Sequence, residues 1–388
     1  MIQVGRTARL SAQHVLTPKA GVAVHINAVN FPAWGTAEKM ATSLLAGMPL
    51  ITKPATATAL VAHRMIEIFV EKSLMPKGSC SMICGSPQNL LSLLTGQDVV
   101  AFTGSSQTAQ MIRAEAAIVK HSVSLNVEAD SLNTAVLLPD VSLSSETGRL
   151  FAAEVAKDIT QKAGQKCTAI RRVLVPEHLI DDAVEAIGER IKEIKIGDPS
   201  NKEIRMGPLA TESQFKDVKQ RLGALIESTE DGYGGSGEVS PIGVDNGKGF
   251  FLGPVLRKAK DTFACKAMHD DEIFGPVSTL AGYSGKTDDA LKAIRLGQGG
   301  LVSTIYSDDQ EAIIKMVEGM APYHGRLVIG SDKTAAQSPG PGTVLPTLLH
   351  GGPGRAGGGE ELGGLRGMKL YQQRTAIQGD KRFLSSLC

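Results

Sequence analysis

Strand-like and helix-like segments alternate along this chain, and this alternation limits its possible folds more than any other feature. In the first half, the apolar alternation of Gly21–Ala28 precedes an amphipathic segment, Thr36–Ala46, which ends at Gly47. The next predicted elements are a strand, a helix and two further strands: Leu50–Lys53, Thr58–Leu74, Ser79–Cys84 and Asp98–Phe102. Strands separated by helices favour right-handed crossovers, so we predict an α/β fold with a parallel sheet covered on both faces.

The same alternation returns in the second half of the chain. Its predicted elements, strand and helix in turn, are Thr134–Leu138, Glu154–Lys162, Ile170–Val175 and Leu179–Ile194. A turn-rich stretch, Gly232–Gly249, is predicted to be a surface loop. Because a chain of 388 residues is too long for one compact core, we predict two domains.

A stretch dense in glycine and proline, Ser338–Gly364, lies near the end of the chain. Its composition would suit a linker or a disordered segment. However, it carries Arg355, Glu360 and Glu361, and a strand-like tail, Arg374–Gln378, follows it. We therefore favour an ordered loop whose backbone packs closely.

Composition and charge exclude several classes of function. The net charge of +1 gives no electrostatic footprint for nucleic acid or an anionic membrane. No apolar run reaches the roughly 18 residues of a membrane span, and Arg6 and Arg9 precede no long apolar core, so no secretory signal is expected.

The five cysteines suit neither a disulfide framework nor a zinc site, and we expect Cys80 and Cys84 to be buried in a strand. This cysteine usage indicates a reducing cytoplasm.

The first candidate for chemistry is a cysteine in a polar, glycine-containing loop. Cys167 follows Gly164, Gln165 and Lys166. A thiolate is a far better nucleophile than a thiol, so such a cysteine needs a polar or electropositive setting, with which Gln165 and Lys166 are consistent. The loop alone does not separate a nucleophile from an ordinary surface thiol.

The second candidate is a carboxylate at the end of a predicted strand. Glu128 follows the apolar alternation of Ser122–Val127. A carboxylate there is costly to bury unless it has a function or a partner, and it could serve as a general base. The alternative is a strand-end carboxylate in solvent, and the residues alone leave both open.

A turn of small residues joins a predicted strand to a helix. Gly104 and Ser105 stand in the run Phe102-Thr103-Gly104-Ser105-Ser106. Small residues let a phosphate approach the free N–H groups at the start of a helix. The run is not the usual Gly-x-Gly-x-x-Gly pattern, and many strand-to-helix turns look similar.

Several motifs in fixed order resemble the aldehyde dehydrogenase family, from about residue 20 to about residue 380. The motifs are Asn30-Phe31-Pro32, Lys53-Pro54-Ala55, Phe102-Thr103-Gly104-Ser105, Glu128, Gly164-Gln165-Lys166-Cys167, Glu272-Ile273-Phe274-Gly275-Pro276-Val277 and Glu361-Leu362-Gly363. Any one of them could arise by chance, but all of them in this order could hardly do so.

The resemblance implies oxidation of an aldehyde to a carboxylic acid. Cys167 matches the nucleophile that attacks the carbonyl, and Asn30 matches the side-chain donor of the oxyanion hole. Glu128 matches the base that activates water to hydrolyse the thioester. Glu361 stands where the family has a second acidic residue near the acyl site, although a solvated charge in a glycine loop is the alternative. No metal is implied.

The resemblance also implies a nicotinamide dinucleotide cofactor. Lys53 matches the residue that bonds the adenosine ribose, and Gly104 and Ser105 match the pyrophosphate turn. Glu272 matches the residue that holds the nicotinamide ribose, and Phe274 matches the ring that packs beside the nicotinamide.

One position bears on the choice between NAD and NADP. The family often has a glutamate three residues after the lysine, which bonds the ribose hydroxyls and repels a 2′-phosphate. Here that residue is Thr56, small and neutral. We therefore favour NADP, with NAD as the alternative.

Three segments resemble a particular branch, the ring-cleavage semialdehyde dehydrogenases of aerobic, CoA-dependent benzoate and phenylacetate breakdown. The segments are Asn126–Asn133, Lys53–Ala59 and His350–Arg366. The branch implies a small-molecule semialdehyde substrate in CoA-linked form and no nucleic-acid or membrane partner.

The resemblance divides the chain into functional segments. Residues 20–131 would form a Rossmann-type dinucleotide-binding domain, 132–345 an α/β catalytic domain, and 346–370 a glycine-rich active-site loop with its return segment. Residues 1–19 and 371–388 would form small oligomerisation strands. Exposed strands of this kind commonly pair across subunits, so we expect a homodimer or a dimer of dimers. The N-terminal family segment, which supplies helices to the cofactor domain, is expected to be absent.

Two other functions fit parts of the pattern. A CoA-acylating aldehyde dehydrogenase would release the thioester to CoA and would not need Glu128. A truncated, non-catalytic relative would bind only dinucleotide or a partner subunit, but the combination of Cys167, Glu128 and Asn30 argues against it.

Overall fold

The computed structural model describes residues 1–245 and 247–387. The chain forms two compact units: one contains residues 1–127 and the C-terminal segment that begins at Glu360, and the other is Glu128–Gly359. Compactness does not identify what a unit binds, so the assignment of a dinucleotide-binding and a catalytic domain stays a prediction.

The described strands and helices follow each other in the predicted α/β manner. The strands are β1 (Ile2–Gln3), β2 (Leu10–Pro18), β3 (Ala23–Ile26), β4 (Leu50–Lys53), β5 (Cys80–Met82), β6 (Val99–Thr103), β7 (Ser124–Glu128), β8 (Thr134–Leu137), β9 (Arg172–Pro176), β10 (Thr229–Tyr233), β11 (Val255–Ala259), β12 (Val277–Tyr283), β13 (Gly300–Tyr306), β14 (His324–Gly330) and β15 (Gln372–Asp380). The α-helices are α1 (Pro32–Leu45), α2 (Ala59–Glu71), α3 (Ser106–Arg113), α4 (Ala116–His121), α5 (Glu146–Thr160), α6 (Ile180–Lys192), α7 (Glu212–Glu227), α8 (Lys266–Asp270), α9 (Thr287–Leu296), α10 (Gln310–Met320), α11 (Gly364–Gly367) and α12 (Lys381–Ser385).

The first unit is built on a five-stranded sheet of order β5-β4-β3-β6-β7. Strand β3 lies between β4 and β6 and is parallel to both, with Ile26 opposite Lys53 on one side and Phe102 on the other. The carboxyl ends of these three strands therefore meet at one edge of the sheet. That edge is where ligands bind in open parallel sheets.

The start and the tail of the chain form a separate small sheet, as the sequence predicted. Its order is β1-β2-β15, and β2 and β15 pair antiparallel from Pro18 opposite Gln372 to Leu10 opposite Asp380. The structure thus joins these two segments, while their role in oligomerisation stays a prediction.

The second unit is built on a seven-stranded sheet of order β10-β11-β12-β9-β8-β13-β14. All neighbouring pairs are parallel except β10 with β11. Successive side chains of β8 point to opposite faces: Val136 joins one apolar cluster, and Ala135 and Leu137 join the other. Both faces of the sheet are therefore covered, which confirms the prediction of a buried parallel sheet.

Two predicted helices begin later than the observed ones. Helix α5 begins at Glu146 rather than at Glu154, because the Ser145 hydroxyl caps it by accepting a hydrogen bond from the Gly148 N–H at 3.1 Å. Helix α1 begins at Pro32, where the fixed φ of proline suits the first helical position.

The glycine-rich stretch of the second unit packs through its backbone, as favoured above. The Gly352 N–H donates to the Gly359 carbonyl at 2.8 Å, and the Arg355 N–H donates to the Gln298 carbonyl at 3.1 Å. A Cβ at Gly299 would lie 2.2 Å from the Pro353 oxygen, so side chains at this contact would separate the two segments. No helix in the described ranges combines the length and the apolar character needed to span a membrane.

Candidate active site

Cys167 lies between α5 and β9 and is half-buried. Before it, three successive residues have left-handed backbone conformations, with φ of 55° at Lys162, 52° at Ala163 and 68° at Gly164. Such conformations cost non-glycine residues on the order of 1–3 kcal/mol each and cluster at functional sites. The turn is closed by the Gln165 N–H, which donates to the Lys162 carbonyl at 3.0 Å. The sequence motif therefore forms a tight, strained turn directly before the thiol.

The same turn packs against the segment that carries Glu272 and Phe274. A Cβ at Gly164 would lie 2.1 Å from the carbonyl oxygen of Gly275. Glycine is thus required at position 164 both by its φ and by this close backbone approach.

Lys166, the cation next to Cys167 in the sequence, forms an ion pair of its own. Lys166 is buried, and its ammonium lies 2.7 Å from the Asp158 carboxylate and donates to Gln161 at 2.9 Å. Its charge is therefore compensated within this group. The cations whose charges act on Cys167 include Lys162 and Arg171.

Gln165 serves as a support for the loop. Its side chain is buried, donates to Gln214 and to the Phe274 carbonyl, and accepts a hydrogen bond from the Ala210 N–H at 2.9 Å. The glutamine of the motif thus fixes the turn.

Arg171, four residues after Cys167, connects the thiol loop to the two predicted nicotinamide-side residues. Its guanidinium Nε lies 3.7 Å from the Glu272 carboxylate, and its Cζ lies 5.4 Å from the centre of the Phe274 ring. Cys167, Glu272 and Phe274 are therefore linked within one unit. The sequence analysis had not singled out Arg171.

Glu272 is the carboxylate in this group with the most perturbed acidity. Burial raises the pKa of Glu272 to about 7, the Asp130 carboxylate adds to the rise, and the Arg171 guanidinium opposes it. Its Oε1 atom is buried and has no hydrogen-bond partner among the described residues. A buried acceptor of this kind fits the hydroxyl groups of a ribose.

Asn133, also missed by the sequence analysis, holds the other side of the Cys167 loop. Its side-chain N–H groups donate to the carbonyls of Cys167 and Ala169, each at 2.8 Å. Its side-chain oxygen accepts the N–H groups of Leu301 and Val302 at 3.0 and 2.9 Å. The loop is therefore held to the start of strand β13 by one fully buried side-chain amide.

Glu128 is the last residue of β7 and is half-buried. The segment that follows it is fixed at its start by the Ala129 N–H, which donates to the Ala356 carbonyl at 3.0 Å. It is fixed again by Asp130, which pairs with Arg355 at 2.6 Å, and it ends at Asn133. The chain from Glu128 thus leads directly to the residue that holds the Cys167 loop.

The predicted cofactor residues of the first unit lie at the carboxyl edge of its parallel sheet. Lys53 is the last residue of β4, and Gly104 and Ser105 follow β6. Ser105 caps the eight-residue helix α3, because its hydroxyl accepts the Thr108 N–H at 3.3 Å. This turn leaves N–H groups at the helix start, as a pyrophosphate requires.

Thr56 and Asn30 lie on loops at the same edge. Thr56 is exposed and opens a short 3-10 turn three residues after Lys53. Asn30 is half-buried in the loop between β3 and α1. The base of that loop is held by Asn27, whose side chain donates to Thr52 at 3.1 Å and to Thr36 at 3.3 Å.

Glu361 is buried, with 9% of its surface exposed, which does not support the alternative of a solvated charge. Its neighbour Glu360 is held by Asn126, whose side chain donates to the Glu360 carbonyl at 2.8 Å and accepts its N–H at 2.9 Å. The backbone next to Glu361 is therefore held by Asn126, a residue of β7 that lies two positions before Glu128.

The cysteine pair of the first unit differs from the prediction. Cys80 is half-buried in β5, but Cys84 is exposed, because the strand already ends at Met82. The expected burial of Cys84 is therefore wrong. In residues 1–245 and 247–387, no group of His, Cys, Asp and Glu has a metal-binding arrangement.

The aldehyde dehydrogenase family profile matches residues 4–375. The chain therefore belongs to the aldehyde dehydrogenase family and is an oxidoreductase of the class that acts on aldehydes. Among its relatives, 3,4-dehydroadipyl-CoA semialdehyde dehydrogenase of Aromatoleum evansii is 40% identical over 352 residues, which cover 91% of this chain and 68% of the relative. Two further curated relatives are matched over only 52% and 62% of their own length.

Solved structures with the same fold carry nicotinamide dinucleotides. Betaine aldehyde dehydrogenase from Staphylococcus aureus in complex with NAD+ has a TM-score of 0.83 at 23% identity, covering 98% of this chain and 71% of that one. 3,6-Anhydro-L-galactose dehydrogenase in complex with NADP has a TM-score of 0.84 at 21% identity, covering 98% of this chain and 75% of that one. At these identities the likeness establishes the fold, a mixed α/β architecture with parallel sheets.

Proposed function

We propose that this chain oxidises a semialdehyde, in the form of a CoA-linked ring-cleavage product such as 3,4-dehydroadipyl-CoA semialdehyde, to its carboxylic acid. The observation that carries the proposal is the strained Cys167 loop, which Arg171 links to Glu272 and Phe274. The 40% identity to a CoA-semialdehyde dehydrogenase supports the substrate class.

In this proposal each catalytic residue has one task. The Cys167 thiolate forms a C–S bond to the aldehyde carbon, and the Asn30 amide donates a hydrogen bond to the carbonyl oxygen as negative charge develops on it. Glu128 then takes a proton from water, the resulting hydroxide attacks the thioester carbon, and the C–S bond breaks to release the acid and the thiolate. To Glu361 the proposal assigns the role of a second acidic residue for the acyl group.

Nicotinamide dinucleotide, when bound, accepts the hydride that leaves the aldehyde carbon. We assign Lys53 to the adenosine ribose, Gly104 and Ser105 to the pyrophosphate, and Glu272 and Phe274 to the nicotinamide end. The residues fit the group because Glu272 offers a buried acceptor and Ser105 opens a helix at a sheet edge.

We propose NADP as the preferred cofactor, since Thr56 is exposed and neutral where a glutamate would repel a 2′-phosphate. Thr56→Glu should lower the ratio of kcat/KM for NADP to that for NAD by roughly tenfold or more, because it adds a like charge beside the phosphate. Thr56→Gln is the matched neutral control. An unchanged ratio in the glutamate variant would assign the preference elsewhere.

We further propose that the protein is a homodimer or a dimer of dimers in the cytoplasm. The small sheet of β1, β2 and β15 offers a strand edge for pairing. The proposed reducing compartment rests on the cysteine usage of the sequence.

The proposal is tested by replacing the thiol. Cys167→Ala should abolish aldehyde-dependent formation of the reduced cofactor while NADP still raises the melting temperature, because only the nucleophile is lost. Cys84→Ala, at an exposed cysteine, is the control and should retain activity. Turnover in Cys167→Ala would contradict the assignment, and a wild-type product that forms only with added CoA would favour the CoA-acylating alternative.

A further inference from the structure

Arg171 occupies a position that the aldehyde chemistry does not itself explain. It is a buried cation, with 5% of its surface exposed, directly before the buried strand β9. Its backbone is fixed on both sides: its N–H donates to the Asn133 carbonyl at 3.0 Å, and its carbonyl accepts the Thr279 N–H at 2.9 Å. The guanidinium therefore projects from a rigid part of the sheet.

The guanidinium joins two separate segments through their backbone carbonyls. One terminal nitrogen donates to the Gly275 oxygen at 2.9 Å. The other donates to the Gly164 oxygen at 2.9 Å and to the Lys166 oxygen at 3.2 Å. Gly164 and Gly275 are the same two residues whose backbones approach too closely for a side chain. The planar fork of an arginine can hold both segments at once, which the single ammonium of a lysine cannot do.

The remaining contacts of Arg171 are with Glu272 and Phe274, the two residues assigned above to the nicotinamide end of the cofactor. Its Nε faces the Glu272 Oε1 at 3.7 Å, outside hydrogen-bond distance, and neither atom has another hydrogen-bond partner among the described residues. Its charge also lies over the Phe274 ring, at 5.4 Å from the centre. A pair of this kind keeps the side chain of Glu272 beside a positive charge.

We propose that Arg171 is a positioning residue. It holds the Cys167 loop and the Glu272–Phe274 segment in a fixed position relative to each other, so that the nucleophile and the residues assigned to the nicotinamide end of the cofactor are placed together. This inference rests on the proposed function. It assigns to Arg171 no contact with the substrate: the residue acts through the backbone of the thiol loop and through the carboxylate of Glu272.

Two cofactor-related readouts test the inference. The first is the dissociation constant for NADP, from quenching of protein fluorescence. The second is the rate at which iodoacetamide alkylates Cys167 without cofactor, followed as a pH profile, with peptide mass spectrometry to separate this thiol from the other cysteines. Neither readout needs turnover, so both remain informative if the aldehyde has been assigned wrongly.

Arg171→Lys keeps the positive charge but loses the planar guanidinium, whose two terminal nitrogens bond the two segments. It should weaken NADP binding and slow Cys167 alkylation together, each by about tenfold or more, since it removes several charge-assisted hydrogen bonds. Arg171→Met should have the same effects and also move the alkylation profile to higher pH. In the double variant with Glu272→Gln, the effects on NADP binding should be less than additive, because both residues act at one place.

Arg257→Lys is the matched control. Arg257 is equally buried, pairs with Asp231 at 3.0 Å and donates to Thr229, but it lies on β11 away from the thiol loop. Its variant should lower the melting temperature without changing NADP binding or alkylation. The inference is overturned if Arg171→Lys leaves both readouts at wild-type values, or if Arg257→Lys changes both to the same extent. Failure of the proposed function itself would appear separately, as absence of aldehyde-dependent cofactor reduction in the wild-type protein.

Discussion

At the scale of single residues, the site is dominated by buried charges placed close together. Glu272 lies near Arg171, and the charges of Asp130 and Arg355 also act on it. Burial costs a carboxylate its hydration, so the neutral form gains relative to the ionised one. Between pH 4.5 and about 7, the folded chain therefore keeps on Glu272 a proton that the unfolded chain has lost.

This proton makes stability depend on pH. Where the folded state binds more protons than the unfolded state, the free energy of unfolding falls as pH rises, here through the window from 4.5 to about 7. Glu272→Gln carries no titrating proton and should remove that fall. Without cofactor, its melting temperature relative to wild type should therefore be higher at pH 8 than at pH 4.5, by roughly a few degrees.

The control for this prediction is Glu238→Gln, an exposed carboxylate in the same unit. Its melting temperature should follow that of the wild type at both pH values. A Glu272→Gln variant with the same pH dependence as wild type would contradict the raised pKa of this carboxyl group in the folded chain.

At the scale of elements, the active-site loop depends on one close approach between two backbones. Gly164 combines a φ of 68° with a carbonyl 2.1 Å from where its Cβ would lie. By contrast, Gly223 in helix α7 has nothing within 4 Å of its would-be Cβ and is exposed. The two glycines therefore have opposite roles in the fold.

These roles give a paired prediction. Gly164→Ala should destabilise the chain by at least about 1–3 kcal/mol and lower the alkylation rate of Cys167, because the turn must open. Gly223→Ala should stabilise it by about 0.5–1 kcal/mol, because alanine restricts the unfolded chain and favours the helix. Urea unfolding of both variants measures this, and a Gly164→Ala variant as stable as Gly223→Ala would disprove the close approach.

The sequence predicted the elements with strong periodicity and missed those set by local capping or by partners distant in the chain. Strand β4 was predicted with its observed bounds, because Pro54 ends it. The first two turns of α5 were missed, since only the Ser145 cap marks their start. Arg171 and Asn133 were missed because their importance comes from carbonyls of distant segments, which no spacing reveals. The only sequence signal for Arg171 was its place in a pair of arginines, Arg171 and Arg172, at the start of an apolar strand.

At the scale of the whole molecule, the small sheet leaves one long strand at an edge. Lys19 N–H donates to the Tyr371 carbonyl, and Lys381 N–H donates to the Arg9 carbonyl, so odd-numbered residues of β15 bond towards β2. Hydrogen bonding alternates along an antiparallel pair, so the even-numbered residues direct their backbone groups to the other edge. Within the part of the chain that the structure describes, no strand pairs with this edge, and an edge of this length is a template for another strand.

Proline at an even-numbered position tests this edge. Ala376→Pro should remove one outward N–H, leave the bonds to β2 in place, and shift the protein from a dimer towards the 40.8 kDa chain in light scattering. Ala376→Val retains the N–H and should behave as wild type. An unchanged mass in the proline variant would exclude this edge as the subunit contact.

The central claim gives two residues successive tasks in one reaction: Cys167 forms the thioester and Glu128 directs water to it. The most direct test is a stopped-flow measurement of reduced cofactor with Glu128→Gln. The variant should give a burst of about one equivalent per active site, because acylation needs no base for water, followed by little steady-state turnover. A steady-state rate equal to that of the wild type, without a burst, would contradict the role of Glu128 in releasing the product.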